Sequence, residues 1–518
     1  MRNRSVFLKN AIILTVTSLI LRTVGMFFRV YMSGKIGAEG MGLYQLIFSI
    51  YVLGATFATS GISTAVTRLV ADELAHKRTR SARHILRRAI MLSLIIGLAS
   101  TAIIYFGADI ISQYWIKDMR AVPALKMLSF SLPSMGVSSC LRGYFIARRK
   151  VAGNSRSQLI EQAVRIVVVF ALIDRFASKG LAAACLAVMI GDTVAEWVSC
   201  GTLALGYIVD CRRLNEESQI NNSHPSSVVK RILTIATPIT AGRYLNTALR
   251  TIENLLVPNR IALFCGSKEQ GLSQFGALKG MALPLIFFPA SFLSAMSTLL
   301  IPELSSANAL HRQALIREAV RKALRVTLLS STLIGTVFLV FSRELGLLIY
   351  QNSEVGVYLR VLAPLTPIMY TESIVDGMLK GLNQQNSSLK YSLWDSSIRI
   401  VLILAIVPHL GMGGFLLIMV ISNLLTSFLN LHRLLTVTET AFEWKHWCIL
   451  PLLSAAAASA GTLALIKILG VVLKNGIILT VTGILFLCVF YCILLLFTGC
   501  IRHFEVQQIF KIKKDKNF

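Results

Sequence analysis

Apolar residues run along this chain in long blocks, many of 18 residues or more, parted by short and mostly basic polar segments. A helix rises about 1.5 Å per residue, so about 20 apolar residues cross a hydrocarbon core of about 30 Å. The blocks predict about fourteen transmembrane helices, at about 9–31, 41–66, 89–107, 122–146, 159–176, 180–209, 231–257, 276–301, 324–342, 357–380, 391–408, 412–432, 448–469 and 477–500. The expected class is an all-α polytopic membrane protein.

Composition agrees with the pattern. Of 518 residues, 55% are hydrophobic and 15% charged, with a mean hydropathy of +0.67; a soluble domain is nearer a quarter charged. A soluble enzyme, a secreted disulfide scaffold and a disordered chain are excluded. The net charge of +27 would point to nucleic acid in a soluble protein, but here the basic residues segregate by side. With the N-terminus inside, cytoplasmic segments hold about 31 Lys and Arg and the outer loops about 9, the asymmetry of the positive-inside rule. Arg78, Arg80, Arg83, Arg87 and Arg88, then Arg148, Arg149 and Lys150, and the tail Lys511, Lys513, Lys514 and Lys516 lead the inner set. N- and C-termini are expected in the cytoplasm, and no nucleic-acid partner is expected. The start, with Arg2 and Arg4 before an apolar run, mimics a signal peptide, but no small-x-small cleavage site follows, so it reads as an uncleaved first span. The nine cysteines are scattered without C-x-x-C or ligand spacing and read as small apolar residues, with no metal and no cofactor expected.

The chain repeats itself at a constant offset of 234 residues, from about 42 to 180. Gly42 matches Gly276, and Ser63-Thr64 matches Ser297-Thr298. Arg78, Arg83, Arg87 and Arg88 match Arg312, Arg317, Arg321 and Lys322; Lys126, Pro133, Met135 and Gly143 match Arg360, Pro367, Met369 and Gly377. Glu161 and Arg165 fall on Asp395 and Arg399. Apolar matches would be cheap in such a composition, whereas charged, Gly and Pro matches at one offset are not. The repeated unit holds six spans, so both copies share one orientation, the parallel-repeat plan of many transporters. The expected organisation is an N-lobe (1–209), a cytoplasmic linker (210–230), a C-lobe (231–433), and two further spans with a basic cytoplasmic tail (434–518). Substrate sites in such folds lie between the lobes near the midplane.

Some dozen Lys and Arg fall inside predicted spans, and each left in lipid would cost about 2.5–3.5 kcal/mol. They must therefore face protein or a water-filled cavity. Arg22 and Arg29 on the first span, and Arg243 and Arg250 on the seventh, are each seven apart and so share one helix face. Together they suggest a cationic cavity for a phosphorylated substrate, since a guanidinium grips phosphate oxygens bidentately. The alternative is that they pair with distant carboxylates or snorkel. Arg250 has Glu253 at i+3. Glu161/Arg165 and Asp395/Arg399 read as structural i,i+4 pairs. Asp192 and Glu196, two carboxylates on one face, are candidates for an ion-coupling site (H+ or Na+) or for the counter-charge of arginines on another helix. In span 10, Asp376 can pair with Lys380, leaving Glu372 the freer carboxylate; Glu253, Glu372 and Asp376 are further candidates for ion coupling or counter-charge. Pro133 and Pro367 at equivalent mid-span positions, and Pro238, Pro284 and Pro289, suggest kinks. No nucleotide-binding, hydrolase or zincin motif occurs. The chain is not expected to be an enzyme, and energy would come from an ion gradient, the membrane potential or the substrate's own gradient.

The stretch F-L-K-N…L-R-T-V-G-M-F-F-R-V-Y-M…G-A-E-G-M-G-L-Y-Q-L, running into G-I-S-T-A-V-T-R-L-V-A-D-E-L-A, resembles the stage V sporulation protein B group of polysaccharide exporters, in the superfamily that also holds multidrug extrusion proteins and lipid II flippases. The resemblance covers the whole length and is most specific over 7–75. It implies flipping of an undecaprenyl-pyrophosphate-linked oligosaccharide or peptidoglycan precursor across a bacterial cytoplasmic membrane. It also implies cavity arginines on the first helix of each lobe, here Arg22, Arg29, Arg243 and Arg250, and a lipid-tail groove along the last two spans. The rivals are a cation-coupled drug antiporter on the same fold, which would want an acidic or apolar cavity; a membrane-embedded glycosyltransferase or polymerase, which would need catalytic carboxylates or a large outer loop; and a non-transporting scaffold for sporulation or envelope assembly.

Overall fold

The computed structural model describes residues 2–59, 61–76, 78–215, 228–472 and 476–500. The expected linker from 216 to 227, and the tail with Lys511, Lys513, Lys514 and Lys516, lie outside the described residues. Among the described residues there is no strand. The chain begins with α1 (Arg2–Thr59), α2 (Ile62–Ala75) and α3 (Thr79–Ile110), which runs on as a π turn through Ile116. Next come α4 (Val122–Ser129), α5 (Leu132–Ala147), α6 (Val151–Ala177) and α7 (Leu181–Asn215). Then follow α8 (Val228–Cys265), α9 (Lys268–Gly276), a π turn (Ala277–Ala282) and α10 (Leu283–Ala309). The remainder is α11 (Gln313–Val340), α12 (Ser342–Tyr350), α13 (Ser353–Leu362), α14 (Thr366–Gly381), α15 (Gln385–Thr438), α16 (Leu450–Val472) and α17 (Gly476–Phe497).

Eight helical stretches among the described residues are long and apolar enough to cross a membrane. Ile13–Ala75 and Gln385–Thr438, of 63 and 54 residues, are at least twice as long as one crossing requires. Each bends at a glycine in the left-handed region, Gly37 (φ 67°) and Gly411 (φ 57°), a conformation that costs glycine nothing sterically. Both bends fall in the expected connections at 32–40 and 409–411, so neighbouring predicted spans are limbs of one bent helix. Outward-facing aromatics such as Phe106 (79% exposed) and Phe497 (84%) suit hydrocarbon and not water. The protein is an all-helical, multi-pass membrane protein.

The sequence repeat is also a repeat of helix ends. At the offset of 234, α3 and α11 begin at Thr79 and Gln313, α5 and α14 begin and end together, and α6 and α15 begin at Val151 and Gln385. Turn residues match too: Lys117 (φ 62°) with Gln351 (φ 52°), and Arg149 (φ 57°) with Asn383 (φ 59°). Side chains with a Cβ are uncommon there, so their recurrence is informative. Asp118 and Asn352, again equivalent, accept from the backbone N–H of Arg120 and Glu354 at 2.9 Å each, the capping role that short polar side chains favour. Pro133 and Pro367 do not kink continuous helices. They stand in the first turns of α5 and α14, where a missing N–H costs nothing, after a break in the helix. Pro284 likewise opens α10, whereas Pro238 and Pro258 lie inside α8, and Pro289 and Pro302 inside α10.

Two compact units divide the chain, Met1–Met281 with Ser396–Phe415, and Ala282–Asp395 with Leu416–Phe518. The first has a core of Val66 and Val70 from α2, Ile85 and Leu86 from α3, Leu141 and Tyr144 from α5, Leu203 from α7 and Ile232 from α8. In the second, Leu329 of α11 packs with Ala458 of α16 and with Tyr491 and Leu495 of α17. The Tyr491 hydroxyl donates to the Leu329 carbonyl at 3.1 Å, which satisfies the phenol in an otherwise apolar contact.

Candidate functional site

Two clusters of buried charge lie in the first unit. In one, α6 presents Glu161 and Arg165 on one face, and α7 presents Asp192 and Glu196 on one face, each pair one turn apart. Arg165 Nε lies 2.5 Å from Asp192 Oδ1, and its Nη2 donates to Glu161 Oε1 at 3.3 Å. Arg142 of α5 donates through Nη2 to Glu161 Oε2 at 2.9 Å and to Ser199 Oγ at 3.2 Å. Glu161 thus bridges two arginines, and Asp192 is the counter-charge of an arginine on another helix. Glu196, 6% exposed, forms no ion pair among the described residues, and its buried Oε2 has no hydrogen-bond partner.

The second cluster centres on Glu253 of α8, 3% exposed. Its carboxylate meets Lys279 Nζ at 3.4 Å and Arg399 Nε at 3.2 Å. Lys279 comes from the π turn before α10, Arg399 from the first limb of α15, and the ammonium also lies over the Phe415 ring at 5.7 Å.

In the second unit, Asp376, Glu372 and Asp395 each have a side-chain neighbour. Asp376 pairs with Lys380 and accepts from Ser388 Oγ at 2.7 Å. Ser427 Oγ approaches Glu372 Oε2 at 3.4 Å, a weak hold, and Ser422 Oγ donates to Asp395 at 2.6 Å.

The four predicted cavity arginines differ in setting. Arg22, Arg243 and Arg250 are exposed on the protein surface and Arg29 is half-buried. The limb of α1 carrying Arg22 and Arg29 is anchored on α6 by the Tyr31–Phe170 ring stack, 3.9 Å between centroids, and by the Lys35–Asp174 pair at 2.6 Å. α8 packs instead on the other limb of α1: Thr251 Oγ1 donates to the Ser49 carbonyl at 3.2 Å, Asn254 donates to Ser49 Oγ at 3.0 Å, and Tyr244 meets Phe57 edge-on at 5.7 Å. Arg250 Nε donates to Asn246 Oδ1 at 3.1 Å, while Arg243 makes no ion pair among the described residues. Glu253, its expected i+3 partner, is turned to Lys279 and Arg399.

A cavity of about 400 Å³ opens elsewhere in the first unit, with Lys117, Asp118, Arg120, Asn259, Lys268 and Glu269 in its lining. None of the predicted site residues lines it. Arg120 is committed to Asp118 and Glu39, each at 2.7 Å, and these bonds, that to Asp118 first, raise its guanidinium above the ordinary value and keep it charged. α7 continues to Asn215, so that Asp210 lies on a helix and not at the start of a polar connection. There it accepts from Tyr144 Oη at 2.9 Å, Arg148 at 3.1 Å and Lys150 at 2.5 Å. Sequence reading misses this knot and the roles of Arg142 and Lys279, because each partnership joins different helices. Their only signal was a charge inside, or at the end of, an apolar block.

A sequence profile described as polysaccharide biosynthesis protein matches residues 7–308. Stage V sporulation protein B of Bacillus subtilis (strain 168) is 24% identical over 454 residues, covering 86% of this chain and 87% of that protein. Among solved structures, the lipid II flippase MurJ in an inward closed conformation matches with a TM-score of 0.68 at 14% identity, over 93% of this chain and 98% of that one. An inward-facing multidrug resistance MATE family transporter of the MOP superfamily matches with a TM-score of 0.64 at 14% identity, over 83% and 100%. At such identities the structures establish the fold, that of a many-helix transporter. The resemblance in the first 75 residues is borne out over most of the chain, and the profile takes in more than half of it: the protein belongs to the polysaccharide biosynthesis protein family.

Proposed function

We propose that the protein is a flippase that carries an undecaprenyl-pyrophosphate-linked oligosaccharide or peptidoglycan precursor across the bacterial cytoplasmic membrane by alternating access. The duplicated halves act as the two lobes, with both termini in the cytoplasm. The observation that carries this reading is the state of α8. Glu253, the carboxylate within reach of its arginines along the helix, is already held by Lys279 and Arg399. Arg243 and Arg250 therefore keep positive charge available on an exposed face, where a diphosphate would be met by planar donors. Family membership and the transporter fold support the lipid-linked sugar over a cationic drug, which those arginines would repel. Arg22 and Arg29 supply the matching pair on α1.

The test is flipping of a fluorescent undecaprenyl-pyrophosphate sugar in proteoliposomes, with wild type beside Arg22→Ala and Arg243→Ala. Charge-assisted hydrogen bonds contribute about 1.5–3 kcal/mol each, so each variant is expected to lose about 10-fold or more in rate while remaining folded. Wild-type transport that survives both changes would return these arginines to a structural role. Absence of transport by wild type across several sugars would favour the scaffold.

A further inference from the structure

The charge cluster of α5, α6 and α7 leaves one carboxyl without an ion pair among the described residues. Its ion pairs join two arginines, Arg142 and Arg165, to two carboxylates, Glu161 and Asp192. Each arginine has an ion-pair partner, Arg142 in Glu161 and Arg165 in Asp192 and Glu161, although Arg142 Nε, Arg165 Nε and Asp192 Oδ2 form no hydrogen bond among the described residues. Glu196 is a third carboxyl, more than nine-tenths buried and with an unpartnered oxygen. The groups facing it are Tyr51 of α1, Arg142 of α5, Glu161 and Arg165 of α6, and Asp192 and Cys200 of its own helix. Arg29 of α1 acts on Asp192. An unpaired negative charge beside Glu161 and Asp192 in a low-dielectric interior is costly, and the cheapest remedy is a proton.

We propose that Glu196 is a proton-exchange site of the transport cycle, loaded through Oε2 and emptied to water on the side to which the site opens. A proton requires one oxygen, as Glu196 offers. A sodium ion would need several oxygens and would sit against two guanidinium groups. The geometry also supplies a coupling device. Ser199 lies three residues beyond Glu196 on the same face of α7, and Arg142 already donates to Ser199. When Glu196 loses its proton, Arg142 is drawn from Glu161 towards it, shifting α5 against α6 and α7. Protonation reverses the shift, so the cluster has two arrangements whose populations a proton selects. The coupling to transport rests on the flippase reading; the proton site itself does not.

Infrared difference spectroscopy on the purified full chain tests the site without any substrate. Wild type should show a protonated-carboxyl C=O band that titrates with pH, and Glu196→Gln should lack that band while unfolding at a similar temperature. In proteoliposomes, an imposed pH gradient should accelerate flipping of the fluorescent lipid-linked sugar by wild type about 5-fold or more and leave Glu196→Gln unchanged. A band that persists in Glu196→Gln, or the absence of any titrating carboxyl in wild type, overturns the assignment. So does a sodium gradient that accelerates flipping where a pH gradient does not. A titrating band that depends on Glu196, in a protein that flips no sugar, leaves the proton site standing and removes the flippase reading instead.

Discussion

Valine at Gly42 or at Gly276 is expected to destabilise the protein by about 1–3 kcal/mol, the usual cost of forcing extra atoms into a packed contact. A Cβ built on Gly42 would stand 2.2 Å from the Leu272 carbonyl oxygen, and one on Gly276 would stand 1.9 Å from that of Ala38. These four residues are two equivalent pairs at the repeat offset of 234. Each glycine therefore receives the backbone four residues before the other glycine, as a pseudo-twofold crossing of α1 and α9 requires. The obstruction is main chain, which cannot rotate aside as a side-chain end can, and helices in a membrane gain much of their association from such close approach of small residues. Gly25 is the control, since a Cβ there meets nothing within 4 Å. Thermal unfolding in detergent should show Gly42→Val and Gly276→Val well below wild type and Gly25→Val near it. The double variant should lose less than the sum, because both changes act on one crossing. Equal midpoints for all three single variants would mean that the crossing is not a packed contact in the membrane protein.

What the sequence makes legible is what depends on local spacing. Long apolar blocks mark the helices, and the 234-residue offset reappears in their starts, Thr79 with Gln313 and Val151 with Gln385, although the apolar blocks place those starts about ten residues late, at 89, 324, 159 and 391. The left-handed turns at Lys117 and Gln351 share that offset but come from the structure alone. The family follows from motifs in the first 75 residues. Two local readings change in the structure for a physical reason. A proline reads as a kink, yet Pro133 and Pro367 stand where a new helix starts, because that is where its missing N–H is harmless. Asp210 reads as polar linker, yet Tyr144, Arg148 and Lys150 hold it on an extended α7. The charged residues are the least legible. Spacing exposes i,i+4 neighbours such as Glu161 and Arg165, but whether Asp192 faces a cation or Glu253 faces Arg250 is decided by which helices pack together. Those partners, Arg165 and the pair Lys279 and Arg399, are 27, 26 and 146 residues away in the chain.

Glu253→Ala is expected to be the most destabilising single change in the first unit, at about 3–5 kcal/mol, the cost of breaking a buried ion pair from one side. The reason is stoichiometry. One buried carboxylate serves two cations, so its removal takes the ion-pair partner from Lys279 and the carboxylate at 3.2 Å from Arg399 together. Lys279→Met is the contrasting case: it keeps much of the apolar stem over Phe415 and leaves Glu253 and Arg399 as a one-to-one pair. It should therefore cost far less, within about 1.5 kcal/mol, in the range of a volume-conserving core exchange. Glu253→Gln should fall between, since the amide oxygen still accepts a hydrogen bond but carries no charge. Adding Lys279→Met to Glu253→Gln should recover stability, because the ammonium that lost its carboxylate is gone. Thermal unfolding and yield of monodisperse protein in detergent read all four variants. A Lys279→Met protein as unstable as Glu253→Ala would show that the lysine, and not the shared glutamate, holds α8 to the turn that carries Lys279 and to the first limb of α15.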